Sequence, residues 1–147
     1  MTAIPATQSI DLKRVKRAIR SPKGNLLIVL ATVTAAALAT QDSSRAIPMV
    51  INAVGAATLA DIVIQRIERG LWVFPTAGIL SGLIVALLLS PYDAGMIAPA
   101  TAVLAITSKH LFRARLANVF NPAALALVLA AVLFDAGHSW WGALPDL

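Results

Sequence analysis

Asp61 is the one acid inside an apolar run of this chain, TLADIVIQRI. A carboxylate at membrane depth is costly and commonly marks an ion or proton path. Two readings are open for it: a helix-end ion pair with Arg66 or Arg69, or an ion or proton relay. Asn52 is the other candidate intramembrane polar residue; it and Asn121 stand near helix starts, where amides cap a helix or bond to a neighbouring one. His110 and His138 could each ligate a haem or chlorin, but they fall on opposite sides of the topology derived below. A solvated or hydrogen-bonded imidazole is therefore expected at both. No glycine-rich phosphate loop occurs, and no Ser–His–Asp or paired-carboxylate set can be assembled from residues on one side, so no catalytic residue is expected. Cysteine is absent, which excludes disulfides and thiolate-held iron–sulfur clusters in this chain. Two histidines alone give at most a poor metal site, and no metal ligand is expected.

Composition sets where this chemistry would take place. The 147 residues are 59% hydrophobic and 13% charged. An average soluble domain is about 45–50% apolar and about 25% charged, so the chain reads as an integral membrane protein. Its net charge of +5 is not a nucleic-acid signal, because the charges cluster outside the apolar runs. The first 25 residues are polar and basic, without the apolar core of a cleavable signal peptide.

Five apolar segments follow: Leu26–Thr40, Ile47–Ile67, Val73–Leu89, Met96–Thr107 and Val119–Phe134. The second is long enough to cross the roughly 20 residues of a bilayer core; the others need their flanks, and the fourth is the shortest. Pro22, Pro48, Pro75, Pro99 and Pro122 stand near the segment starts, 26, 27, 24 and 23 residues apart. We expect an all-α fold of five transmembrane helices over 23–135. A basic segment, 1–22, precedes it and an outer interfacial tail, 136–147, follows. Within the basic segment, Leu12, Val15 and Ile19 share a helical face, and Lys13, Arg14, Lys16, Arg17 and Arg20 suit an anionic lipid surface. Short links make successive helices antiparallel. If all five cross, eleven of the twelve Lys and Arg residues lie on one side, with only Arg45 on the other. The positive-inside rule makes that side cytoplasmic, with the N-terminus in and the C-terminus out. Trp140 and Trp141 then fall at the outer interface. Gly55, Gly78, Ser81 and Gly82 are expected close-packing positions between helices.

The stretch Ser108–Leu125, SKHLFRARLANVFNPAAL, joins the basic cluster Lys109, Arg113 and Arg115 to the last apolar helix. Asn121 suits an N-cap and Pro122 the first helical position. We expect a buried, non-helical entry over Asn118–Pro122, with Phe120 stapled near Leu125. The alternative is that these residues only end the link.

Lys109, Leu111, Phe112, Asn118, Phe120, Asn121, Pro122 and Ala123 resemble a G-K-Q-L-F-type stretch followed by an N-x-F-N-P-A helix start. That pattern belongs to the D subunit of the Rnf electron-transport complex and the related B subunit of the sodium-pumping NADH:quinone reductase. His110 replaces the usual glutamine, and Arg113–Arg115 replace small residues. Ser21–Pro22 and AGILSGLIVALLLSP (Ala77–Pro91) resemble further family stretches, so the likeness covers about Ser21–Phe134. It implies two inverted repeats of about five helices each, in a fold similar to urea channels, with flavin mononucleotide esterified to a threonine of the second repeat. This chain is expected to match only the first. The nearest local counterpart of the flavin motif, NAVGAAT (Asn52–Thr58), has Asn and Gly where the family has acid and hydroxyl, so no covalent flavin is carried over.

The function this implies is a small membrane subunit that anchors or scaffolds a respiratory or photosynthetic electron-transfer complex in a bacterial inner membrane. It would have no cofactor of its own, with flavin, haem or pigment carried by partner subunits. Lys109, Asn118 and Asn121 would then meet an anionic group of a partner's cofactor at a helix N-terminus. Its partners would be membrane lipids and other integral-membrane subunits, not nucleic acid. The alternative is half of an oligomeric channel or carrier for a small solute or cation, suggested by the short fourth segment and the Asn121–Pro122 helix start.

Overall fold

A computed structural model describes residues 22–40, 43–70, 73–93, 95–112 and 121–141. Among them are five helices and no strand: α1 (Pro22–Thr40), α2 (Ser43–Arg69), α3 (Thr76–Leu88), α4 (Ile97–Leu111) and α5 (Pro122–Phe134). These match the five apolar segments in order. The basic segment up to Ser21 and the link 113–120, with Asn118 and the Phe120 staple, lie outside the described residues. α1 and α2 are long and apolar enough to cross a membrane. α3 and α5 have 13 residues each. At 1.5 Å per residue they reach about 20 Å, short of the ~30 Å hydrocarbon core, without flanking chain.

Four prolines sit at or near helix starts, and one does not. Pro22 opens α1, Pro75 is the N-cap of α3, Pro99 is in the first turn of α4, and Pro122 is at N1 of α5. Pro48, expected near the start of its helix, is inside α2, because the helix begins at Ser43. The local reading of α5 holds. Asn121 has extended backbone, and its side-chain oxygen accepts from the Ala123 N–H at 3.0 Å. The expected burial of this entry does not hold at Asn121, which is exposed.

Small side chains supply much of the inward faces of α2, α4 and α5, with Val85, Leu89 and Ile106 the large aliphatics fully buried among them. Ala46, Met49, Ala53 and Ala57 face inward from α2; Ala98, Ala102 and Ala105 from α4; Ala123, Ala126 and Ala130 from α5. Many other large aliphatic side chains point outward, among them Val29 on α1, Ile51, Leu59 and Ile67 on α2, and Val132 on α5. Thr34, Thr40 and Thr101 return their hydroxyls to backbone carbonyls within their own helices, so these polar groups enter the bundle already bonded.

The tightest contact is between α2 and α3. A Cβ at Gly82 would stand 2.6 Å from the Val54 Cα, and one at Gly78 would stand 2.7 Å from the Ala57 carbonyl oxygen. These two glycines are the expected close-packing positions. Gly55 is not one, for a Cβ there meets nothing within 4 Å.

The C-terminal ends of α2 and α4 meet the start of α3 at one end of the bundle. At the other end, the first turns of α2 and α4 meet the end of α3 around a cleft of about 290 Å³. There the chain leaving α5 turns back at Asp135, which is left-handed with φ 50°. It pairs with the residues that close α3: Ser90 N donates to the Gly137 carbonyl at 3.0 Å, and Ser139 N to the Leu88 carbonyl at 3.1 Å. Asp93 accepts from Gly137 N at 2.9 Å. Trp140 is exposed, as an interfacial residue would be, but Trp141 is buried and its indole N–H donates to the Ala86 carbonyl at 2.8 Å. Trp141 thus satisfies one of the carbonyls that a helix C-terminus leaves open, rather than standing at an interface.

Two outcomes follow. Gly82→Val should destabilise the bundle by about 1–3 kcal/mol through overpacking, whereas Gly55→Ala should be neutral or stabilising by up to about 1 kcal/mol. Thermal unfolding in detergent, followed by circular dichroism, separates them. Trp141→Phe should cost about 1–3 kcal/mol, because it keeps the ring but strips a buried carbonyl of its donor; the same melt measures it.

Candidate functional site

The inward stripe of α2 continues from Ala53 and Ala57 to Asp61 and Gln65, spaced one helical turn apart. Asp61 is therefore carried into the interior by the same periodicity that buries the alanines, and its exposure is 0%. The close approach at Gly78 brings the first turn of α3 against it. The Pro75 N-cap provides no side-chain acceptor for that turn. Asp61 provides one from another helix: its Oδ2 accepts the Gly78 N–H at 3.0 Å. A carboxylate at a helix N-terminus is favoured both by the hydrogen bond and by the positive end of the dipole.

The second oxygen of Asp61 faces α4. His110, in the last turn of α4, places Nε2 3.4 Å from Asp61 Oδ1 and Nδ1 3.0 Å from Glu68 Oε1. Asp61 and Glu68 are seven residues apart, two turns of α2, so both lie on the face that α4 covers. The His110 side chain is 7% exposed and that of Glu68 39%. The result is a carboxylate–imidazole–carboxylate chain running from the interior to the surface.

This arrangement corrects three sequence expectations. The Asp61 oxygens are engaged by α3 and α4 rather than by Arg66, which donates to the Gly70 carbonyl; the Arg69 side chain lies outside what the structure describes. His110 is the hydrogen-bonded imidazole expected as one of two states, but it is not in the link, because α4 extends four residues beyond Thr107 and carries it into the bundle. A pair of carboxylates does assemble on one side, joined by an imidazole. The imidazole lies between the two acids, so the three do not converge on a point. Among the described residues no cluster of three His, Cys, Asp or Glu is arranged to hold a metal ion.

The remaining candidates are dispersed. Lys109 is half-buried beside His110 and has an interaction of its own. Asn121 is engaged as a cap, and Asn118 lies outside the described residues, as do Lys13, Arg14, Lys16, Arg17 and Arg20. Asn52 is exposed and lines the cleft at the opposite end, with Arg45 and Asp93. His138 is exposed there, bridged through its backbone to Leu89. Thr58 is near the α2–α3 contact, its hydroxyl buried and without a hydrogen-bond partner among the described residues.

Replacing Asp61 with Asn keeps an acceptor for the Gly78 N–H, whereas replacing it with Leu removes it. Asp61→Leu should therefore be less stable than Asp61→Asn by about 1–3 kcal/mol, the cost of an orphaned buried donor, in the same melting measurement. Equal stability of the two would show that the bond to α3 contributes nothing.

Comparison with curated proteins and with solved structures finds no match. Comparison with protein families does find one, over residues 13–147. The chain belongs to the NQR2, RnfD, RnfE family, membrane subunits of electron-transport complexes.

Proposed function

We propose that this chain anchors or scaffolds partner subunits that carry the redox groups of a respiratory or photosynthetic electron-transfer complex. The observation that carries this reading is close packing through small residues, alanine on α2, α4 and α5 and glycine on α3, with many large aliphatic side chains left outside. Helices in lipid gain little from hiding apolar surface from one another and associate through close packing of small residues. The outward Leu, Ile and Val faces are then left for lipid and neighbouring membrane subunits. We place the bundle in a bacterial inner membrane with all five helices crossing, α3 and α5 completed by flanking chain. The end bearing Arg66 and Lys109 is cytoplasmic, in keeping with the clustering of Lys and Arg. Lys109 and the helix end capped by Asn121 are the candidates for contact with an anionic cofactor group on a partner.

Purification in mild detergent followed by mass spectrometry tests this. The expected result is co-elution with membrane proteins that bear flavin, haem, iron–sulfur or pigment groups. Recovery of the chain alone, in detergent that keeps other membrane complexes intact, would overturn it. A C-terminal tag accessible only from the cytoplasm would overturn the topology.

A further inference from the structure

Asp61, His110 and Glu68 are placed as a proton path would require, with one group sealed inside, one at the surface and an imidazole within hydrogen-bond distance of both. We propose that they form a proton-transfer site, in which Glu68 exchanges protons with the aqueous phase and His110 passes them to and from Asp61. This rests on the geometry of these three residues and not on the scaffolding role.

The step balances without any other reactant. With the proton of the neutral ring on Nε2, Nδ1 accepts a proton from the protonated Glu68 carboxyl. The Nε2 proton passes to Asp61 Oδ1. One O–H bond is lost at Glu68 and one gained at Asp61, and the imidazole ends neutral with its proton on Nδ1. The reverse step discharges Asp61, and a ring flip or exchange with water resets the tautomer. Histidine suits this because its two nitrogens can accept on one side while donating on the other.

The surroundings favour transfer along this line. Both acids facing the ring come from α2, and α3 and α5 contain no titratable side chain. α1 contributes only Lys23, and on its own helix Lys109 precedes His110. Asp61 Oδ2 is held by the Gly78 N–H, which leaves Oδ1 directed at His110. Gln65, 8% exposed, lies on the same face of α2 between the two acids and contributes no charge there.

The test uses the full chain in lipid vesicles and infrared difference spectra recorded after a pH jump. The expected result is a protonated-carboxyl band that shifts in deuterium oxide and is lost in Asp61→Asn, which retains an acceptor for Gly78. Its appearance should slow by about a hundredfold in His110→Asn, the scale of a removed proton-transfer group, and slow also in Glu68→Gln. Glu68 is partly exposed, so its amide variant keeps the measurement available if His110→Asn does not fold. Persistence of the same band in Asp61→Asn would overturn the assignment of the proton to Asp61. An unchanged rate in Glu68→Gln would overturn the path. Loss of partner subunits would alter neither readout, so failure here is distinguishable from failure of the scaffolding proposal.

Discussion

The near-contact of two helix backbones governs this bundle. At Gly78 and Gly82 there is no room for a Cβ, so α2 and α3 approach until backbone atoms touch. A Cβ at either position would force the two helices apart and carry the first-turn amides of α3 away from α2. The glycines avoid that separation, and Asp61 reaches the Gly78 N–H with a side chain of only two carbons beyond Cα. That hydrogen bond in turn fixes which oxygen Asp61 offers to α4. The packing contact, the cap and the acid–imidazole chain thus depend on one local absence of side chains.

What could be read from the sequence was what depends on neighbours in the chain. The five apolar stretches, and the Asn121–Pro122 start of α5, follow from composition and from cap chemistry contained within three residues. The site was not legible in the same way. Gly78 lies 17 residues from Asp61, and His110 lies 49 residues from it. Arg66, by contrast, is five residues away and offered an obvious local partner. A helical-face count gave the missing signal: Ala53, Ala57 and Asp61 share one face, so an acid continuing an alanine stripe is directed inward, away from the interface where an arginine would wait. Trp141 was misread for a related reason. An indole near a chain end suggests an interface, but its partner at Ala86 is 55 residues away.

The alanine-rich inner faces also explain why composition was informative about class and silent about contacts. Alanine is equally at home on either face of a helix in an apolar medium. α1 and α5 accordingly have almost no amphipathic pattern from which an inward face could be read. α2 and α4 show more preference for direction, and α2 is the helix against which α3 and α4 pack.

Both ends of α3 are closed by protein. Asp61 accepts at its amide end, while Trp141 and Ser139 donate at its carbonyl end. The end of a short helix in an apolar medium would ordinarily draw water to hydrate its terminal peptide groups. α3 has no such demand at these positions, because its neighbours stand in for the solvent. At these positions the terminal peptide groups of α3 therefore place no demand for water on whatever surrounds the bundle.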